Sequence, residues 1–141
     1  MKTHFPLLAV VAILLFTGCA SKSTHGTGPY APVDTTKYTL ENTEKFVLMD
    51  QAAQYSITCT GLQEFVSADG RVGVVANVKN REARRVQVQI SCVFKDAQHF
   101  STGDETPWET LILGENETKA VRFAATNAQA KTYTIRVRQA R

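Results

Sequence analysis

The chain is poor in the residues that most enzymes use. It has 3 histidines, 3 cysteines, 2 methionines and 1 tryptophan in 141 residues. Of the histidines, only His99 lies among strand-forming residues; His25 sits in a Ser/Thr/Gly-rich stretch and reads as solvated linker. A Ser-His-Asp or Cys-His arrangement needs such a base, and His99 alone, in a polar loop, does not make one. A zinc site needs three or four converging ligands, and no His/Cys cluster with that spacing exists. The expectation is therefore no catalytic residue, no metal and no cofactor. Charge of one sign is also lacking. The formal net charge is +3, and Lys2 belongs to the N-terminal leader. That excess is too mild to argue for nucleic acid. Apolar runs are scarce too, and after residue 19 none approaches the roughly 20 residues that a spanning helix needs.

One apolar run is present, in "MKTHFPLLAVVAILLFTGCAS". Lys2 gives a positive start, and Phe5 to Phe16 is about a dozen residues long, which suits a secretory h-region rather than a spanning helix. Thr17 and Gly18 are small and precede Cys19. The order resembles a bacterial lipobox, with Phe16 where leucine is usual. The resemblance implies a signal peptide over 1–18, cleavage before Cys19, and lipidation of Cys19 by diacylglycerol and an N-acyl chain such as palmitate. Several acyl chains, at about 0.8 kcal/mol per buried methylene, anchor a protein durably. Ala20 is not acidic, which in such lipoproteins implies sorting to the outer membrane, with the domain facing the periplasm.

Residues 19–41 carry the lipidated cysteine and "ASKSTHGTGPYAPVDTTKYTLE", a flexible tether with roughly 25 Å of average reach. Residues 42–141 read as one all-β domain. "KFVLMD" is a short strand, and "QAAQ" is a turn or one helical turn. Tyr55, Ile57 and Cys59 share one face of the next strand, with a bulge or bend at Gly61. Asp69–Gly70 marks a hairpin turn. Val72, Val74, Ala76 and Val78 are in phase. Val86, Val88, Ile90, Cys92 and Phe94 then alternate with mostly polar neighbours, so one face is buried and the other wet. "KDAQHFSTGDETP" is a long connection. "WETLIL" and "ETKAVRFAA" are strands, the latter burying Val121 and Phe123. "TYTIRVR" places Tyr133, Ile135 and Val137 inward and Thr134, Arg136 and Arg138 outward. About seven strands without a helical period predict an immunoglobulin-like antiparallel β-sandwich.

Several of these elements, in this order, resemble the YcfL-like family of small bacterial lipoproteins. They are "FVLMD", "VKN" at Val78–Asn80, "FKDAQ" at Phe94–Gln98, Trp108 opening "WETLIL", "ET" at Glu117–Thr118, and "AKTYTIRVR". The resemblance implies a β-sandwich on a lipid anchor and carries no catalytic residues. Some members are encoded beside lipoproteins that activate peptidoglycan synthesis, which hints at cell-envelope work.

Cys59 and Cys92 are open to two readings: a disulfide, which an oxidising compartment permits, and two small buried hydrophobes. Two surfaces are candidates for a partner. One is Arg81, Arg84 and Arg85 at a single turn, with Arg71 and Arg122 near it, suited to phosphate or cell-wall carboxylates. The other is the connection holding Asp104, Glu105 and Trp108, flanked by Phe100. Phe100 and Trp108 are expected to close the core, because tryptophan is highly buried on average. The acidic group with Glu109 reads as a charged loop. The functional expectation is a non-enzymatic module that binds an envelope protein or peptidoglycan. The alternative is a binding or inhibitory domain for a small envelope ligand or hydrolase. A homodimer through a strand edge is compatible with both.

Overall fold

The computed structural model describes residues 44–140. Eight strands and one short helix form two packed sheets. The strands are β1 (Phe46–Leu48), β2 (Ile57–Val66), β3 (Val72–Asn80), β4 (Val86–Lys95), β5 (Ser101–Glu105), β6 (Glu109–Leu113), β7 (Thr118–Ala124) and β8 (Thr132–Gln139). One sheet has five strands in the order β1-β8-β4-β5, with β6 also on β4; the other is β2-β3-β7. The expected β-sandwich is present. It has eight strands rather than about seven, and β1 runs parallel to β8, so the larger sheet is mixed.

Asp50 explains how the chain leaves β1. Its backbone is extended and its carboxylate accepts the Ala53 amide, capping α1 (Gln51–Ser56). The second carboxylate oxygen accepts the Gln139 amide at 2.7 Å, fastening this crossing to the end of β8. "QAAQ" is thus helical, and the helix runs on through Tyr55. Tyr55 is 37% exposed and does not share a strand face with Ile57 and Cys59. The bulge expected at Gly61 lies between Cys59 and Gly61 in the pairing with β3. The Asp69–Gly70 hairpin is closed by the Ser67 amide on the Arg71 carbonyl at 2.9 Å, with Gly70 at φ 81°.

The core lies between the sheets. Val88, Ile90, Cys92, Phe94, Ile135 and Val137 from the five-stranded sheet face Ile57, Val74, Ala76, Val78 and Phe123 from the other. Val121, expected to be buried, is half-buried, on a strand that flanks only β3. The long connection after β4 contains a strand, β5. β5 pairs with the C-terminal part of β4, and β6 with its N-terminal half. Together they make one interrupted edge, broken at Thr106 to Trp108. Pro107, which has no amide to donate, sits in that break, as prolines in edge strands do. Thr106 bridges the break. Its amide donates to the Cys92 carbonyl at 2.9 Å and its Oγ1 accepts the Cys92 amide at 2.8 Å.

Candidate functional site

The alternation that puts Ile90 and Cys92 in the core aims Ser91, Val93 and Lys95 at the opposite face. Pairing with β8 sets them beside Arg136, Thr134 and Thr132 in turn. The expectation that Thr134 and Arg136 are wet is wrong. Ser91, Val93, Lys95, Thr134 and Arg136 are all buried, with Arg136 5% exposed. A buried cation must be paired and hydrogen-bonded. Arg136 Nη2 donates to Ser91 Oγ at 2.6 Å and forms an ion pair with Glu105, which β5 brings opposite Val93. Trp108, at the break between β5 and β6, lies under two guanidinium groups. Arg138 is 3.9 Å and Arg136 4.8 Å from its ring centroid. Trp108 is therefore half-buried on the outer face and does not close the core. Cation–π contacts of this kind contribute about 0.5–2 kcal/mol.

One donor is left over. Arg136 Nε is buried and has no partner. Such an orphan costs about 1–3 kcal/mol. Arg136 lines a cavity of about 560 Å³ together with Val93, Lys95, His99, Phe100 and Thr134. Burial, and then the Arg136 guanidinium, hold the Lys95 ammonium below the usual lysine range.

The mouth of this cavity is a shaped turn. Asp96 Oδ1 accepts the amides of Gln98 at 2.9 Å and Phe100 at 3.0 Å. The Asp96 amide donates to the Phe100 carbonyl at 2.9 Å, and His99 takes the left-handed conformation at φ 68°. The turn holds Phe100 outward, where it is 72% exposed, against the expectation that it closes the core.

The other sequence-derived residues fall elsewhere. Asp104 faces inward, is 7% exposed, and accepts the Thr126 amide at 2.5 Å. It ties β5 to the loop after β7 and is not a free surface carboxylate. Glu105 is exposed and belongs to the Arg136 site. Arg81, Arg84 and Arg85 lie at the corner between β3 and β4, at the opposite end of β4 from Lys95. They do not act as one cluster. Arg81 Nη1 donates to the Gln54 carbonyl at 3.3 Å, Arg84 pairs with buried Glu82, and Arg85 is exposed. Arg71 is at the far end of β3, paired with Asp69 at 2.6 Å, and Arg122 lies 3.9 Å over the Phe65 ring. Cys59 and Cys92 are free thiols, Cys59 half-buried and Cys92 buried. Cys19 lies outside the described residues.

Sequence reasoning did not single out Lys95, Ser91 or Arg136 as site residues, nor the corner around Asn80. Asn80 is wholly buried; its Nδ2 donates to the carbonyls of Arg84 at 2.6 Å and Gly114 at 2.7 Å, and its Oδ1 accepts the Glu82 amide. A signal existed for the first group, since β8 carries two arginines on its supposed solvent face beside a tryptophan-bearing edge.

A family model described as DUF1425, a protein of unknown function, matches residues 44–139. The fold is similar to the crystal structure of Campylobacter jejuni cj0090, with TM-score 0.57 and 14% identity over 68% of this chain and 98% of that one. It is also similar to a DUF1425 family member from Shewanella sp. pv-4, with TM-score 0.56 and 19% identity over 65% of this chain and 86% of that one. No curated protein matches the sequence.

Proposed function

The chain belongs to the DUF1425 family, a family of unknown function, and we propose that it is a lipid-anchored, non-enzymatic binding module of the bacterial cell envelope. Within that family it is read as a YcfL-like lipoprotein. Acyl chains on Cys19 hold it to the periplasmic face of the outer membrane, and residues 20–41 tether the domain. Recognition takes place on the outer face of the five-stranded sheet around Trp108, Arg136 and Phe100, and serves envelope or peptidoglycan maintenance. The observation that carries this reading is the cavity of about 560 Å³ floored by buried Lys95 and Arg136 and edged by an exposed phenylalanine. Aromatic and arginine side chains around a concavity are what binding surfaces concentrate.

A second reading is favoured by the size of that cavity, which falls within the roughly 300–1,000 Å³ of small-molecule sites. In this reading the partner is a small envelope ligand rather than a macromolecule.

Two measurements test the proposal in cells. Cys19→Ala is expected to abolish palmitate labelling and release the protein from the outer-membrane fraction; retained label and fractionation would overturn the anchor. A photo-crosslinking amino acid at position 100 is expected to give a discrete adduct, while one at exposed Asp69, at the hairpin tip, gives none. Equal adducts at both positions would remove the recognition face.

A further inference from the structure

We propose that the cavity beside Phe100 is a receptor for an anionic group carried on an apolar body, a carboxylate or phosphate monoester on a short alkyl or aryl chain. The inference rests on reading this face as the recognition surface and names what it recognises.

The floor of the cavity selects for negative charge. Two of its lining side chains, Lys95 and Arg136, are permanent or near-permanent cations, and only one, Glu105, is an anion. Glu105 is spoken for at Arg136 Nη2, which also donates to Ser91. Arg136 Nε remains without a partner in a residue that is 5% exposed. A buried, unpartnered donor in an arginine that lines a cavity is most readily compensated by an oxyanion nearby, because charge-assisted interactions of guanidinium with oxyanions are the strong ones. Trp108 beneath the guanidinium fixes its plane, so the fork does not have to be ordered when the ligand arrives.

The walls select for an apolar body. Val93 and the Phe100 ring flank the cations. Phe100 is 72% exposed, yet its backbone is held by the Asp96 carboxylate and by an amide–carbonyl pair with Asp96. The backbone therefore presents the ring at the rim, outside the core, as a wall. An inorganic anion would leave that wall unused, and a neutral apolar ligand would leave Arg136 Nε unsatisfied. A ligand with both parts answers both.

The test is a titration of ¹⁵N-labelled chain, secreted with Cys19→Ser, followed by amide chemical shifts. The probes are hexanoate, hexyl phosphate, hexan-1-ol and hexylammonium. Hexanoate and hexyl phosphate are expected to shift the amides of Val93, Lys95, Ser101, Thr134 and Arg136, with a Kd below about 10 mM. The alcohol and the ammonium should bind at least about tenfold more weakly. Phe100→Ala, an exposed change that leaves the core intact, should weaken both anions about threefold to tenfold. Arg136→Lys, which keeps the charge and removes the fork, should weaken them further. Vesicles containing phosphatidylglycerol separate the sources. Arg136-dependent binding to them, against none to phosphatidylcholine, assigns the anion to a lipid headgroup, and binding of the soluble probes alone assigns it to a free ligand. Equal affinity for hexan-1-ol and hexanoate, or anion binding unaffected by Phe100→Ala, would overturn the inference while leaving the recognition face to be decided by crosslinking at position 100. Absence of shifts with every probe and of binding to either vesicle would overturn it as well.

Discussion

The two sheets of the sandwich are built from similar valine-rich strands but differ in what they hide. In the five-stranded sheet, β4 is buried on both faces from Ile90 to Lys95, and β8 on both faces from Tyr133 to Val137. In the three-stranded sheet, β2 is exposed from Thr60 to Glu64, including Leu62 and Glu64, which its pairing places on the core side opposite Ala76 and Val74. The smaller sheet thus has a sheltered face only at the start of β2, at Ile57, and where β3 and β7 lie over the core. The contrast is one of cost. A wet outer face can carry any polar residue at little cost, whereas a covered outer face carrying lysine, arginine, serine and threonine must pair them. The chain keeps this costly arrangement on one sheet alone, and the unpartnered Arg136 Nε lies within it.

The sharpest way to break this comparison is to truncate one aliphatic side chain in each sheet. Ile90 is 1% exposed and lies between β6 and β8. Ile90→Ala should cost about 2–5 kcal/mol, the range for emptying a packed aliphatic site. Leu62 is 36% exposed on the open end of β2, and Leu62→Ala should cost under about 1 kcal/mol. Urea titrations with unchanged m-values measure both. Equal costs would show that β2 is as well packed as β4.

Alkaline pH should act mainly through the covered sheet. Burial pushes the Cys92 thiol up to about 12 from an ordinary 9.0. Burial, then the bond to Glu64, raises Tyr133 above its usual range. Both groups keep their protons in the fold to a higher pH than in the unfolded chain. Unfolding therefore releases the Cys92 proton above about pH 9 and the Tyr133 proton above about pH 10, and stability falls as pH rises, by about 1.4 kcal/mol per pH unit for each group in its window. Below pH 9 neither contributes a slope. Cys92→Val should flatten the decline between pH 9 and 12 in thermal melts; an unchanged slope would mean that the thiol already ionises in the fold.

Most of this fold was legible in the sequence because alternation reports the core face directly. Val86 to Phe94 and Tyr133 to Val137 needed no more than period-two reading. The misses share a cause, which is that the second face of a strand is decided by neighbours distant in the chain. Ser101–Glu105 has no apolar rhythm and becomes β5 only because β4 offers it an unpaired edge. Thr134 and Arg136 read as wet, since nothing local announces that Trp108 and Glu105 come to lie beside them. β1 runs parallel to β8 through a contact some ninety residues apart in sequence, of the kind that joins the Gln139 amide to Asp50. The basic turn shows a related effect, since its arginines do not share one environment. Arg81 is drawn to the Gln54 carbonyl, which arrives from α1, while Arg84 pairs with Glu82 of the same turn.

Ion pairs give a smaller contrast between the same regions. Glu105 is half-exposed, but its partner Arg136 is not. Glu105→Gln should cost about 1 kcal/mol, discounted for solvent at the carboxylate, because it leaves a buried cation less compensated. The Lys45–Glu64 pair bridges the open end of the sandwich with both side chains about half exposed. Glu64→Gln should cost roughly 0–0.5 kcal/mol, as exposed pairs do. The Glu105 variant should also gain little from added salt, while the wild-type Lys45–Glu64 pair is screened by it. Identical costs would mean that burial of Arg136 does not govern the pair.

Comparably small effects are expected at the corner between β3 and β4, where three arginines share a turn but not an environment. Arg85 is exposed, and Arg85→Ser should lie within about 0.5 kcal/mol of wild type. Arg84 is itself 69% exposed, yet it pairs with Glu82, whose side chain is 8% exposed and also accepts the Ser56 hydroxyl. Arg84→Ser should cost up to about 1 kcal/mol, since Glu82 keeps one donor and loses its cation. Arg81 reaches back to the Gln54 carbonyl, and its own amide donates to the Ser56 carbonyl at 2.8 Å, joining the end of α1 to the corner. The amide bond survives a side-chain change, so Arg81→Ser should cost about 1 kcal/mol rather than several. The series Arg85, Arg84, Arg81 in denaturant titrations should therefore rise in small steps. A flat series would mean that the three are one solvated patch, as the sequence suggested, and would return the basic turn to consideration as a binding surface. A rise confined to Arg81 and Arg84 makes the corner structural and leaves the Phe100 end of β4 as the face to probe for a partner.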